Sequence, residues 1–509
     1  MNPKWLVAVS VALGALIEII DTSIINVALP QMQATLGATL TQVSWVITSY
    51  AIANVIVLPL AAWLGHRFGR KRYFLFSLFG FTAASMMCGM STSLPMLVLA
   101  RLLQGLTGGG LVSKAQTILF ETFPREEQPV AQAFFGAIVI AGPAIGPTLG
   151  GYLVTNYAWQ WIFFINLPIG VAAVFMVSTF LPDDDPADRI DTPTDWTALL
   201  MLAVGLGCLQ TFLEEGNADD WFDSWFIRCM ALGAVVGVVA FVRRQLRSDA
   251  PIVDLKVLRE GSLAAGCVLG VVVGASLYGA LFCVPIFAQT QLRFTSEQTG
   301  WLLLPGALAS AVAIQVAGRA ARRSDPRLVL VGGASVLIVS LVWIAGLMSP
   351  QTSEDDLYWP LIVRSIGTVL MFLPLQLAAI GSVPRPHIAA ATGIFNLMRQ
   401  LGGSVGVAAL ATVLDRRITF HAQVVGDHLV ATDPRVLERV AALTRGFAVH
   451  DPARAHAQAL AALSMQVRSQ ASVLAFADTF LITAGLLVLT LPLVALLKAP
   501  TAAVEPGGH

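Results

Sequence analysis

Charge is what this chain has least of. Only 12% of its 509 residues are Asp, Glu, Lys or Arg, while 56% are hydrophobic, against about 25% charged in a typical soluble domain. That shortfall excludes an ordinary water-soluble globule, because the apolar excess has to face lipid. Neither sign is in surplus, with 31 basic and 31 acidic residues, so there is no basic footprint for nucleic acid. Cysteine is sparse too. Cys88, Cys208, Cys229, Cys267 and Cys283 all lie in apolar runs, with no C-x-x-C pair and no histidine at ligand spacing, and they read as free, buried thiols rather than metal ligands. No G-x-x-x-x-G-K-[ST] loop occurs, which leaves an ion gradient as the energy source for any work done. No nucleophile, base and orienting residue converge at a recognisable spacing, which argues against an enzyme.

What the chain does have is long apolar runs. A bilayer core of about 30 Å needs about 20 apolar residues per helix. Fourteen runs qualify, over 6–28, 43–64, 73–93, 96–119, 130–154, 161–181, 196–214, 225–242, 262–290, 299–318, 328–348, 359–382, 388–414 and 472–497. They predict an all-α membrane protein of 14 transmembrane helices. The first run superficially resembles a signal peptide, but Glu18 and Asp21 interrupt it and no A-x-A site follows, so it reads as a retained span. An even count puts both termini on one side. The loops of that side hold 18 Lys and Arg, among them Lys4, Arg67, Arg70, Lys71, Arg72, Arg125, Arg189, Arg322, Arg323, Arg385 and Lys498, against Arg293 alone in the opposite short loops. The excess predicts cytoplasmic termini. Trp45, Trp159, Trp161, Trp221, Trp225, Trp301 and Trp359 then fall at outer span ends, as interfacial anchors should.

The loop Gly65-His66-Arg67-Phe68-Gly69-Arg70-Lys71-Arg72 has a looser echo at Gly318-Arg319-Ala320-Ala321-Arg322-Arg323-Ser324-Asp325. A shared pattern in corresponding loops suggests duplication into two six-helix halves. The expected divisions are residues 1–181 as the N-terminal bundle; 182–260 as an acidic linker (Asp183, Asp184, Asp185, Asp188), two extra spans read as lipid-facing filler, and a cytoplasmic loop; 261–414 as spans 9 to 13; 415–471 as a long periplasmic loop; and 472–509 as the last span and a cytoplasmic tail. The long loop is expected to hold short amphipathic helices at 436–443 and 455–465. Its histidines, His421, His428, His450 and His456, are read as solvated, with no metal.

Span 5 carries Gly142, Gly146 and Gly150 four apart, which makes one smooth stripe for a close neighbour. Pro143 and Pro147 each remove a backbone donor, and Gly151 follows. A Gly-zipper between structural helices and a bendable hinge both fit. Charges inside a bilayer cost at least about 2.5 kcal/mol each and are functional candidates. Glu18 and Asp21 share one face of span 1. Counting rise from the outer ends puts Asp21 and Arg101 of span 4 at comparable depth, so they can pair, either as a structural ion pair or as a carboxylate that exchanges a proton. Lys114 in span 4 can pair with Glu18 or greet anionic substrates. Arg399 can line a cavity or pack helices. Arg364 and Asp478 are given structural roles, and Glu214 and Glu215 are left to solvent at a span end.

At this point the residues carry a resemblance. Asp21-Thr22-Ser23-Ile24-Ile25-Asn26-Val27-Ala28-Leu29-Pro30 resembles the first-helix motif of the 14-span drug:proton antiporters of the major facilitator superfamily. Arg101-Leu102-Leu103-Gln104-Gly105 with Gly108 and Gly109 resembles their fourth-helix motif, and the Gly-Pro repeat of span 5 their antiporter motif. The stretches from Trp159 to Gly170, from Asn396 to Gly406, at Pro251 to Leu255 and at Asp220 to Phe222 are similar as well, pointing to the EmrB branch of the EmrB/QacA group. The resemblance implies a proton-coupled multidrug exporter of the bacterial inner membrane, with alternating access, the proton as coupling ion and no cofactor. It implies hydrophobic, often weakly acidic substrates, a periplasmic adaptor (EmrA-like) and an outer-membrane channel; the long loop is where the adaptor is expected to bind. Asp21, Arg101 and Glu18 become the proton-coupling candidates; Asn26, Gln104, Lys114, Asn396 and Arg399 the substrate-cavity candidates; Gly142, Pro143, Gly146, Pro147, Gly150 and Gly151 the hinge; and Gly65, His66, Arg67, Gly69 and Arg70 the gating loop. This chain departs from the pattern where the loop's usual Asp is His66 and its leading Gly is Ala62. The same machinery fits the export of one dedicated metabolite, such as a fatty acid or siderophore, and a non-transporting scaffold or receptor is the further alternative.

Overall fold

In lipid no water satisfies a stray backbone group, so an apolar run must fold into a helix that bonds to itself. The computed structural model describes residues 3–184, 194–427, 429, 432–448 and 452–497, and every regular element among them is helical. Asp185, Asp188, Arg189, His428, His450 and Lys498 lie outside the described residues, as do the side chains of Pro143, Arg322 and Arg323. The N-terminal half comprises α1 (Pro3–Leu36), α2 (Leu40–Val57), α3 (Ala61–Phe68), α4 (Arg70–Gly89), α5 (Leu94–Gly108), α6 (Leu111–Thr122), α7 (Gln128–Asn156), α8 (Trp161–Phe164) and α9 (Asn166–Phe180). Two extra helices follow, α10 (Trp196–Glu215) and α11 (Trp225–Arg247). The C-terminal half holds α12 (Gly261–Thr290), α13 (Ser296–Arg323), α14 (Pro326–Leu347), α15 (Glu354–Gly381), α16 (Ile388–Asp427), α17 (Pro434–Ala448) and α18 (Ala455–Thr490). Because α2 with α3, α5 with α6, and α8 with α9 each make one broken crossing, these helices give the 14 spans expected.

Capping marks one face. Thr39 with Gln42, Thr295 with Gln298 and Ser353 with Asp356 form capping boxes at the starts of α2, α13 and α15. All three helices enter the bilayer from the side opposite the basic loops. Each cap satisfies helix-end donors that lipid cannot, and is worth about 1 kcal/mol.

Three features differ from the expected picture. Residues 415–471 are mostly helical: α16 runs on for 40 residues in all, about 60 Å at 1.5 Å per residue, so it continues well past the hydrocarbon. There α17 packs on the early part of α18, and Asp478 accepts from Arg417 Nε at 2.6 Å and lies 2.7 Å from His421 Nε2, tying α16 to α18. Among the described residues no group of three or more potential ligands could hold a metal.

The extra helices are not mere filler. Gly205 of α10 and Gly237 of α11 bring their backbones into contact, and α11 presents Leu232, Val235, Val236 and Val239 outward. But α10 is bonded to both halves. Thr48 of α2 donates to Glu215 at 2.8 Å, Gln210 donates to Ser404 of α16 at 2.8 Å, and Trp221 just beyond donates to Thr412 at 3.0 Å. Glu215 is therefore buried, not left to solvent.

Two smaller expectations also change. Trp161, Trp225, Trp301 and Trp359 are exposed as anchors should be, whereas Trp159 is fully buried against Phe163. All five cysteines are free, but Cys229 is exposed and Cys208 half-buried.

Candidate functional site

Span 1 positions the central group. Asp21 has no contact with solvent, and its Oδ2 accepts from Arg101 Nη1 at 2.5 Å. Its Oδ1 accepts from Gln104 Nε2 at 3.0 Å and from Asn166 Nδ2 at 2.8 Å. The carboxylate thus has three donors from α5 and α9, which is how an ionised acid survives in a dry interior. Arg101 is as constrained: Nε donates to the Val46 carbonyl at 3.1 Å, Nη1 also to Gln104 Oε1 at 2.7 Å, and the guanidinium lies 4.3 Å from the Tyr50 ring centroid. Gln104, expected in a cavity wall, is fully buried inside this cluster. Asn166, within the motif from Trp159, has a role the sequence did not assign.

One turn away, Glu18 does something separate. Three consecutive glycines end α5 at Gly108 and place Gly110 at φ 72°, a left-handed conformation that suits glycine, before α6 starts at Leu111. Span 4 is a broken helix, and Glu18 Oε2 accepts from the Val112 backbone N–H at 2.8 Å, capping its second half. Oε1 accepts from Asn54 Nδ2 at 2.6 Å. A carboxylate at a helix N-terminus is stabilised by the unpaired N–H groups and the dipole there. Lys114 does not reach it as an ion pair. Lys114 Nζ instead donates to Ser77 Oγ at 2.6 Å and sits 4.2 Å from the Tyr73 ring centroid.

The glycine stripe of α7 packs on this same part of α1. A Cβ on Gly142 would strike Ile19, on Gly146 Ser23, and on Gly150 Ile24. Ser23 also donates to the Gly142 carbonyl at 3.3 Å. A Cβ on Gly151 would meet nothing nearer than Val27, at 4.0 Å. On its other side α7 meets α13, where a Cβ on Gly136 would strike Ile314 and one on Gly318 would lie 2.8 Å from the Pro129 carbonyl. So α7, with Pro147 inside it, stands between the acid-bearing helix and the opposite half.

The remaining candidates sort by depth. Asn396 of α16 is buried and donates to Gln116 Oε1 at 2.6 Å; Gln376 of α15 donates to Gln132 Oε1 at 3.1 Å; Gln315 of α13 donates to the Ala133 carbonyl at 3.3 Å. These bonds join the two halves near the basic face. Towards the other face, Thr22 and Asn26 of α1 are exposed. Arg399 is half-buried, with Tyr278 and Asn396 at 3.4 Å. Arg364 is buried and makes no side-chain hydrogen bond or ion pair among the described residues.

At the basic face two acids of the linker bind the loop. Gly69 turns the chain at φ 92° and opens α4, whose Lys71 N–H donates to Asp184 of the linker at 3.1 Å. Asp183 pairs with Lys71 at 2.8 Å, and that bond holds its carboxyl below the usual range. Arg70 is paired with Glu121. Arg67 lies 5.8 Å from the Trp63 ring centroid.

Residues 11–407 match the family model of the Major Facilitator Superfamily. The multidrug export protein EmrB of Escherichia coli K12 is 30% identical over 504 residues, 99% of this chain and 97% of that one. The fatty acid resistance protein FarB of Neisseria gonorrhoeae is 31% identical with the same coverage, and the colistin resistance protein EmrB of Acinetobacter baumannii is 30% identical over 86% of each. The crystal structure of the human organic anion transporter MFSD10 superposes with a TM-score of 0.62 at 16% identity, over 97% of this chain and all of that one; at that identity the likeness concerns the fold alone. A broken fourth span, an acid on the first span facing it and a glycine stripe of the fifth span packed on that first span thus come with a match over most of the chain, and the protein belongs to the Major Facilitator Superfamily, in its EmrB-type group.

Proposed function

We propose that this chain is a proton-coupled efflux antiporter of the bacterial inner membrane, with both termini in the cytoplasm, exporting hydrophobic, weakly acidic compounds by alternating access. The observation that carries the reading is Asp21: an ionisable group held dry by Arg101, Gln104 and Asn166 on the helix whose Thr22 and Asn26 are exposed. In this reading, the bonds that join the halves near the basic face support an outward-facing state. A proton entering from outside neutralises Asp21 and releases it from Arg101, which keeps its bonds to Val46, Gln104 and Tyr50. Enclosing a neutral acid costs far less than enclosing an anion, so the protonated state tolerates rearrangement to the inward-facing form. There the proton leaves, and substrate binding drives the return. Coupling requires only that proton and substrate favour different states.

Lys114, Arg364 and Arg399 have no carboxylate within ion-pair distance among the described residues, and this favours acidic cargo. It also keeps open a dedicated exporter of a fatty acid or similar metabolite, since one relative bears the name fatty acid resistance protein. We further propose that the protein works with a periplasmic adaptor and an outer-membrane channel, the adaptor docking on α17 and the projecting ends of α16 and α18, where Phe420, Leu437 and Met465 are exposed. Uptake into everted vesicles tests the transport reading: a panel of acidic and cationic compounds should accumulate only when a pH gradient is imposed, acids foremost. Accumulation indifferent to the gradient would refute it. Replacing residues 434–448 with a flexible linker should abolish adaptor co-purification while transport in vesicles persists; unchanged co-purification removes that partner surface.

A further inference from the structure

A cavity of about 30 Å³ lies where α3, α4, α6 and the start of α16 meet, lined by His66, Arg70, Tyr73, Lys114, Thr117 and Ala389 together with four apolar or glycine residues. One water needs about 10–15 Å³ of such space, so this void has room for two waters or one monatomic anion and excludes a substrate-sized molecule. None of its ten lining residues is acidic, and three are basic. Arg70 is neutralised by Glu121. Lys114 is not neutralised in this way. It is 6% exposed, only Ser77 accepts from Nζ, and no carboxylate lies within ion-pair distance among the described residues. An ammonium has three N–H donors, and leaving one buried without an acceptor or counter-charge is costly. Glu18, whose field reaches Lys114, has its oxygens committed to Asn54 and Val112. The Tyr73 hydroxyl supplies an independent sign: it is buried at the same void and makes no hydrogen bond of normal length.

We propose that this void is a binding site for a small monovalent anion of the size of chloride, which accepts from Lys114 Nζ and from the Tyr73 hydroxyl. Because Ala389 of the C-terminal half completes the wall, the site exists whole only while the basic ends of the two halves are together. The anion therefore favours that state over one in which they part. The inference stands apart from proton coupling and from the identity of the cargo.

Thermal unfolding of the purified full chain at constant ionic strength, in chloride or bromide against the bulky anion gluconate, tests it. The unfolding midpoint should rise saturably with halide, the rise should be reduced in Tyr73→Phe and absent in Lys114→Met. Tyr73→Phe removes a single oxygen that makes no hydrogen bond of normal length in the protein, so it reports even if Lys114→Met folds poorly. A natural chain that unfolds identically in halide and gluconate overturns the proposal, as does a halide response of undiminished size in Tyr73→Phe.

Discussion

Gly146 offers the sharpest reading of how closely α7 must approach the acid-bearing helix. A methyl group there would sit 2.8 Å from Ser23 Cβ and 3.0 Å from the Ile24 backbone nitrogen, while the same methyl at Gly151 would meet nothing nearer than Val27 at 4.0 Å. The serine can rotate but the backbone cannot yield without moving α1. Overpacking of this kind costs about 1–3 kcal/mol, and displacing Ser23 from the Gly142 carbonyl adds about 1 kcal/mol. Gly151→Ala has no such penalty and removes the entropic cost of a helical glycine, so it is neutral or stabilising by up to about 1 kcal/mol. That gain is common to both glycines and cancels, so thermal unfolding of purified Gly146→Ala and Gly151→Ala should separate them by about 2–4 kcal/mol, the sum of the overpacking and hydrogen-bond terms. Ser23→Gly should restore part of the loss in the Gly146→Ala background but not in the Gly151→Ala one. Equal stability of the two alanine variants would refute the claim that the stripe is a contact face for α1.

Other expectations follow from single contacts. Asp184→Ala removes the carboxylate that caps α4 and should lower stability by about 0.5–2 kcal/mol, measured by unfolding, whereas Asp183→Ala, on a fully exposed carboxyl, should change nothing measurable. Glu18→Leu leaves the Val112 N–H without its acceptor at about 1–3 kcal/mol and Asn54 Nδ2 with Tyr50 alone; Glu18→Gln, whose single carbonyl oxygen can still accept from one of the two donors, should be milder in the same assay. Hydrogen bonds from Arg244 hold the Asp195 carboxyl below its usual range. A depressed carboxyl adds stability above its unfolded value, near pH 4, and that stability is lost as pH falls through the folded value. The pair is part-exposed and screened by solvent, so the small gap between the natural chain and Asp195→Asn at pH 7 should close below about pH 4.

Much of the architecture was legible because lipid imposes a length on every crossing, and 14 apolar runs of that length leave few other folds. The Asp21 and Arg101 pairing was legible for the same reason: rise per residue converts sequence offset into depth. Gly108, Gly109 and Gly110 were visible as a motif but not as a break, since nothing in the glycines names Glu18 as the cap waiting across the gap. Gln104 looked like a cavity residue because its polarity does not say whether it faces water or Asp21. The bonds of α10 to Thr48 and Ser404 depend on residues 167 and 194 positions distant in the chain, beyond any local signal. The bilayer rule itself hid the continuation of α16 to Asp427, because it stops counting where lipid stops and helices do not.

The account stands on Asp21 exchanging a proton when substrate binds. Adding an acidic substrate to the purified protein in weak buffer, with a pH indicator present, measures that directly. The natural chain should release protons saturably with substrate while Asp21→Asn, still binding substrate, releases none; release of equal size from Asp21→Asn would contradict the account.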